Sequence, residues 1–240
     1  MIRALHLQCR SRQFDSGILH FTRSPPKGGL FLIHPYRMKH PILALLLLVT
    51  SALFSQTIDT VISTPHYKAY ISKKLKQPVY VKYVIYKGGG DCERSDRWTN
   101  PTKLPLLNRE YSHSGYDRGH LANAEDFAYD CALSNETFRL YNCLPQTPAL
   151  NRGVWKQWET KIRHESQTDS LLVICGGIWE TSTVKSKMRI PTKCWKVVYN
   201  LRTHTVVHVL IFTNTLNPTY VETTIQDINM RLGFNLALTF

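Results

Sequence analysis

The stretch "TFRLYNCLPQTPALNRGVWKQWETKIRHE", Thr137 to Glu165, changes its periodicity halfway along. Up to Gln146 it reads as a short strand running into a Pro-marked turn. From Asn151 onward Val154, Trp155, Trp158 and Ile162 recur at helical spacing, with Asn151 where an N-cap would stand. Asn151, Trp155 and Glu159 recur every fourth residue and so share one helical face. An amide carbonyl and a carboxylate on one face can offer hard oxygens to Mg²⁺, which keeps several of its waters. The same spacing also fits a plainer arrangement, in which Asn151 caps the helix and Glu159 pairs with Arg163 at i+4.

Upstream lies "GYDRGHLANAEDF", Gly115 to Phe127, an ionisable run against a strip of small residues. It could be a polar turn between two strands. Of the histidines beyond residue 55, namely His66, His113, His120, His164, His204 and His208, His120 stands apart. Asp117, Arg118, Gly119 and Asn123 surround it, and Asn142, Asn151 and Glu159 follow.

Around this pair of motifs the remaining segments set a fold class. "QPVYVKYVIYKGGGD", Gln77 to Asp91, alternates as a strand covered on both faces and closes on three glycines. Cys92 to Gly115 reads as a long loop, and long loops inside compact domains are commonly functional. "SLLVICGGIWE" is a buried strand ending at a Gly pair, "CWKVVYNLRTHTVVHVLIFTN" two strands about a polar turn, and "TTIQDINMRLGF" a helix with a Gly stop. The order predicts an α+β fold on a mainly antiparallel sheet with flanking helices. Without repeats, low-complexity tracts or linkers, residues 57–240 form one expected domain.

The chain has 240 residues, 43% of them hydrophobic, and a formal charge of +13. Such a charge favours a polyanionic partner, because clustered Lys and Arg displace counterions from phosphates. Part of it belongs to a separate segment. "MKHPILALLLLVTSALFSQ", from Met38, has a basic start, an apolar run from Ile42 to Phe54 and a small residue, Ser55, before Gln56. That is the layout of a secretory signal peptide, too short to span a bilayer comfortably. Met38 is therefore read as the start, residues 1–37 as an upstream extension, 38–55 as the leader, and cleavage falls near Ser55/Gln56. A secreted or periplasmic protein without stable membrane association follows. Removing residues 1–55, with seven Lys or Arg and one Asp, leaves 23 basic against 16 acidic residues, a formal +7.

Cys92, Cys131, Cys143, Cys175 and Cys194 remain, with no CxxC or CxxH pair to support a zinc site. Export permits disulfides, and an odd number of thiols leaves at least one unpaired. The expected bridge is Cys92 to Cys131, since both lie in polar loops flanking the motifs; sequence alone does not fix the connectivity.

Taken together, "DRGHLANAEDF" and "YNCLPQTPALNRGVWKQWE" resemble the DNA/RNA non-specific endonuclease family, of the ββα-metal or His-Me finger type. The shared pattern is Asp117, Arg118, Gly119 and His120; Asn142, Pro145 and Gln146; Asn151 and Gly153; Trp155 and Glu159. Weaker similarity extends to "YKAYISKKLKQPVYVKYVIYK", "RSDRWTN", "GGIWE" and "IPTKCWKVVYN". Asn123 stands where many members carry Pro, and Cys143 and Leu144 replace other apolar residues; neither change removes a group the chemistry needs.

The resemblance implies a ββα-metal catalytic motif and a division of labour. His120 is the general base, Asn151 the direct ligand of Mg²⁺, with Mn²⁺ as a second candidate, and Glu159 holds metal-bound waters. Arg94 forks onto the phosphate, with Arg97 as the alternative; Arg118, Arg152 and Lys156 bind substrate, and Lys161 and Arg163 help to steer it. Asn142 orients the site, and Asp117 and Gly119 are structural. The implied substrates are DNA and RNA, cut to 5′-phosphate ends. A binding module that has lost catalysis is an alternative, as is a toxin, for which an inhibitor protein would be a partner.

Overall fold

Gln77 to Ile85 is the strand on which both sides of the molecule are built. The computed structural model describes residues 56–180, 184–185 and 187–240; the extension read at 1–37, the leader at 38–55 and Cys9 lie outside the described residues. In chain order the strands are β1 (Thr60–Ser63), β2 (Tyr67–Ser72), β3 (Gln77–Ile85), β4 (Asp117–His120), β5 (Cys143–Gln146), β6 (Leu171–Ile178), β7 (Val184–Lys185), β8 (Met188–Arg189), β9 (Lys193–Asn200), β10 (Thr205–Thr213) and β11 (Tyr220–Glu222). The helices are α1 (Cys131–Glu136), α2 (Lys156–Glu165) and α3 (Ile225–Leu232). Seven strands pair in the order β1-β2-β3-β6-β9-β10-β11, every pair antiparallel. The expected α+β class is thus observed.

Side chains alternate across a strand, so each central strand feeds two cores. Val81, Tyr83 and Ile85 of β3, Leu171, Val173 and Cys175 of β6, Cys194 and Val198 of β9, and Leu210 and Phe212 of β10 pack with Leu150, Trp155, Trp158 and Ile162. The other face of the same strands, with Leu172, Ile174, Trp195, Val197 and Ile211, packs under Ile228 and Leu232 of α3. Trp155 is fully buried and meets Phe212 edge-on, with ring centroids 5.2 Å apart. Truncation of so large a core side chain costs about 3–5 kcal/mol.

Several boundaries differ from the sequence reading. β6 continues through the glycine pair, because Gly176, Gly177 and Ile178 remain in register with Trp195, Cys194 and Lys193. β1, β2, the β7–β8 pair, β11 and α1 join the expected elements. Asn151 is not the N-cap: Thr147 accepts from the Leu150 amide at 3.2 Å, with Pro148 in the first turn, so the helical path begins before Asn151. It then widens into a π-turn over Asn151–Trp155, kinked at Gly153, before α2.

Candidate active site

β4 and β5 form a separate two-stranded antiparallel ribbon, pairing Asp117 with Gln146, Gly119 with Leu144, and His120 with Cys143. A Cβ at position 119 would lie 2.1 Å from Gln146 Oε1, so glycine lets the ribbon close over that buried amide. The ribbon and the helical run after Thr147 bound a cleft of about 530 Å³. Arg94, Asp117, Arg118, His120, Asn151, Arg152, Lys156 and Glu159 line it, all singled out by sequence. Trp98, Tyr116, Asn123 and Glu125 line it as well.

His120 is 6% exposed, and its Nε2 is buried without a hydrogen-bond partner. Its ring lies between Trp98, with centroids 4.5 Å apart, and Phe138, edge-on at 4.7 Å. Burial, reinforced by the Arg94 charge, holds the imidazole down at about 3. Both effects favour the neutral ring, the form that can accept a proton.

Asp117 holds three donors. Arg152 donates Nε and an NH2 group to its two oxygens, each at 2.8 Å, and Asn151 donates Nδ2 to Oδ2 at 3.0 Å. A carboxylate accepts only, so the Asn151 amide is orientated with nitrogen toward Asp117 and carbonyl Oδ1 left for another partner. Burial raises the Asp117 carboxyl, but the bonds from Arg152 and Asn151 outweigh it and leave it below its ordinary range.

Glu159 is 8% exposed and its Oε1 lacks a hydrogen-bond partner. Burial lifts its carboxyl to about 7, Lys196 opposing and Asp126 assisting. The Glu159–Arg163 pair of the plainer arrangement is not formed: Arg163 donates Nε to Asp126 at 2.9 Å and approaches Glu125 at 3.1 Å. Those carboxylates, held by the loop after His120, reach the guanidinium instead, and Tyr83 donates to the other Asp126 oxygen at 2.8 Å. Nor is Arg163 free to steer substrate. Lys161 lies over the Trp158 ring at 4.2 Å.

Beneath Glu159 sits Lys196, fully buried, 3.8 Å from the carboxylate and 3.6 Å from the Trp155 ring centroid. It was missed in the sequence, although a lysine in the apolar strand "CWKVVYN", on the face shared by Cys194 and Val198, is the available signal.

Asn142 is fully buried and does not line the cleft. Its Oδ1 accepts from the Ala122 amide and its Nδ2 donates to the Ala122 and Thr137 carbonyls, all at 2.8 Å. It orients the chain after His120 and touches no reacting group. Arg118 donates to the Asn108 carbonyl at 3.0 Å and lies over Tyr111 at 4.9 Å. Arg94 lies over Phe138 at 5.2 Å in the cleft lining, whereas Arg97 is exposed outside it. Cys92 is bonded to Cys131 as expected, and Cys143, Cys175 and Cys194 are free and buried.

No group of three His, Cys, Asp or Glu side chains suited to a metal occurs among the described residues. A cation here would rely on an amide oxygen, a carboxylate and water. The Asn151 carbonyl left open by Asp117 and the Glu159 carboxylate, which lines the same cleft, fit a hard divalent ion that retains waters.

An antiparallel sheet carrying a separate ribbon and helix thus lines one cleft with a buried histidine, hard oxygens and arginines. The family model for DNA/RNA non-specific endonucleases matches residues 49–237, and the chain belongs to that family. A nuclease of a Nostoc species is 34% identical over 116 residues, covering 45% of this chain and 42% of that protein. Mitochondrial endonuclease G of Bos taurus is 37% identical over 70 residues, 29% of this chain and 23% of that protein. The matched stretches thus span less than half of either relative. Among solved structures, the crystal structure of the EndoG/EndoGI complex matches with a TM-score of 0.63 at 21% identity, covering 75% of this chain and 86% of that one, a likeness of fold.

Proposed function

We propose that the protein is an exported, Mg²⁺-dependent endonuclease that hydrolyses DNA and RNA to 5′-phosphate ends. The carrying observation is the buried Nε2 of His120, without a hydrogen-bond partner among the described residues, in the same cleft as Asn151 and Glu159. His120 takes the proton of the attacking water; burial keeps it deprotonated, and the Trp98 and Phe138 rings hold its orientation. Asn151 would hold the cation directly and Glu159 through water, with Mn²⁺ as a substitute. When bound, the ion supplies charge stabilisation to the phosphate and the departing 3′ oxygen. Arg94 would fork onto a phosphate, Arg118 would contact a neighbouring one, and Arg152 and Lys156 extend the positive edge of the cleft.

Nothing in this set of side chains distinguishes bases or the 2′-hydroxyl, which supports a sugar-non-specific substrate range. Export rests on the leader at 38–55 and accords with a disulfide in the folded domain. The EndoG/EndoGI complex is one of EndoG inhibition, and an inhibitor protein is a reasonable partner to seek for this chain. The test is to incubate purified protein with supercoiled plasmid and with single-stranded RNA, Mg²⁺ present or chelated, and analyse the ends. Mg²⁺-dependent cutting of both to 5′ phosphates is expected; binding without cutting would support the inactive module instead.

A further inference from the structure

We propose that the Cys92–Cys131 disulfide is a positioning clamp for the cleft, fixing the segment that lays Arg94 over Phe138 beside His120. It rests on the nuclease reading above and assigns a redox dependence to that site.

The segment is anchored at its two ends and hardly between. Upstream, the Lys87 amide donates to the Ser166 carbonyl at 2.8 Å and the Gly88 amide to Ser166 Oγ at 3.2 Å. Gly90, at φ +141°, passes so close to α1's approach that a Cβ would lie 2.2 Å from the Ala128 carbonyl oxygen. Downstream, the Thr99 amide donates to the Phe138 carbonyl at 3.1 Å, and the Leu140 amide to Thr99 at 3.0 Å. From residue 88 to 98 no backbone-to-backbone hydrogen bond is formed among the described residues. The side chains bond within the segment itself, Arg94 Nε to Asp96 at 2.6 Å and the Arg97 amide to Ser95 Oγ at 3.3 Å.

The disulfide is therefore the anchor nearest to Arg94, two residues before it, with Cα atoms 5.3 Å apart, an ordinary span for such a bond. Its other end, Cys131, opens α1, whose N-cap Asp130 accepts from the Ala132 amide at 2.8 Å. That helix leads to Phe138, whose ring contacts both the Arg94 guanidinium, at 5.2 Å, and the His120 ring, at 4.7 Å. The bridge thus ties the loop to the same stretch that carries its docking ring. Without it, residues 93–98 gain backbone freedom, and only the fraction of molecules with Arg94 in place is competent.

Cys131 is exposed, so a dithiol reaches the bridge, and Cys143, Cys175 and Cys194 are thiols already, which leaves Cys92–Cys131 as the bond it reduces among the described residues. The S–S bond breaks, Cys92 and Cys131 each take one electron and one proton to become thiols, and the dithiol closes into its own cyclic disulfide.

The test compares oxidised protein, dithiol-treated protein, C92S/C131S, R94A and the triple variant, reading kcat/KM on duplex DNA beside the melting curve. Small displacements of catalytic groups cost up to about a hundredfold, and a loss of about tenfold is expected for reduction and for C92S/C131S. Because the clamp acts through Arg94, the triple variant should fall no lower than R94A. Multiplying effects, or unchanged kcat/KM in folded C92S/C131S, overturn the proposal. The NMR signals of the Phe138 ring, over which the Arg94 guanidinium lies at 5.2 Å, provide a readout independent of cleavage. They should shift on reduction; unshifted signals overturn the clamp even in a protein that cuts nothing, while absence of cutting by oxidised protein counts against the nuclease reading alone.

Discussion

Asn151 is turned by Asp117: the amide Nδ2 donates to the carboxylate Oδ2 at 3.0 Å while Arg152 occupies both oxygens of the same carboxylate. The conspicuous acid of the "DRGH" run thus acts on the cleft through the residue expected to hold the cation. Asp117→Ala should weaken Mg²⁺ affinity by about 10–100-fold, the usual cost of losing a partner that orients a ligand. Titration of metal-dependent cleavage checks it, and at saturating Mg²⁺ the rate should largely recover.

Glu159 has a carboxyl lifted to about 7 by burial, so near neutrality a cation competes with a proton. Mg²⁺ affinity should rise as pH increases through about 7 and level off above it. Lys196 opposes the lift, so Lys196→Met should move that midpoint to higher pH, and Glu159→Gln should abolish it. Calorimetry of metal binding across pH, with proton release recorded, measures each outcome.

Stability against pH follows the same two groups with opposite signs. His120 drops from its ordinary 6.5 to about 3 on folding, so the unfolded chain protonates first. Its stabilising effect is full above 6.5 and is lost as pH falls from 6.5 toward 3. Glu159 rises from 4.5 to about 7; its effect is full below 4.5 and is lost as pH climbs to about 7. Denaturant unfolding of His120→Ala should show a shallower decline in acid than the native chain, and Glu159→Gln a shallower decline between pH 4.5 and 7.

Arg94, Arg118, Arg152 and Lys156 line the cleft, and each phosphate neutralised adds about −0.9 to the slope of log K against log salt for duplex DNA. Lys156→Ala should weaken binding evenly across sequences and reduce the slope by about one. Filter binding across a salt series reads both; a sequence-dependent loss would count against a phosphate contact.

How much of this was legible in the chain depended on whether a residue's partners were near in sequence. Asn151 and Glu159 stand at a spacing that a regular helix would put on one face, and although the π-turn kinked at Gly153 interrupts that helix both line the cleft; with His120 in a compact run, their grouping is readable. The helix start was misplaced because Thr147 and Pro148 provide an earlier cap and first turn than Asn151. The Glu159–Arg163 pair was a sound local expectation, displaced by the tertiary contact between Arg163 and Asp126. Lys196 and Trp98 lie far from the motifs and arrive by sheet register and loop path, which local spacing does not encode.

The most direct measurement is the single-turnover cleavage rate of bound DNA and RNA at saturating Mg²⁺ for the native chain and His120→Ala. The native chain should cut both substrates, and the variant should bind them with unchanged Kd while cutting about 10²–10⁴-fold more slowly, the usual share of a general base. A variant that cuts at the native rate, or a native chain that cuts equally well with all divalent metal chelated, contradicts the account.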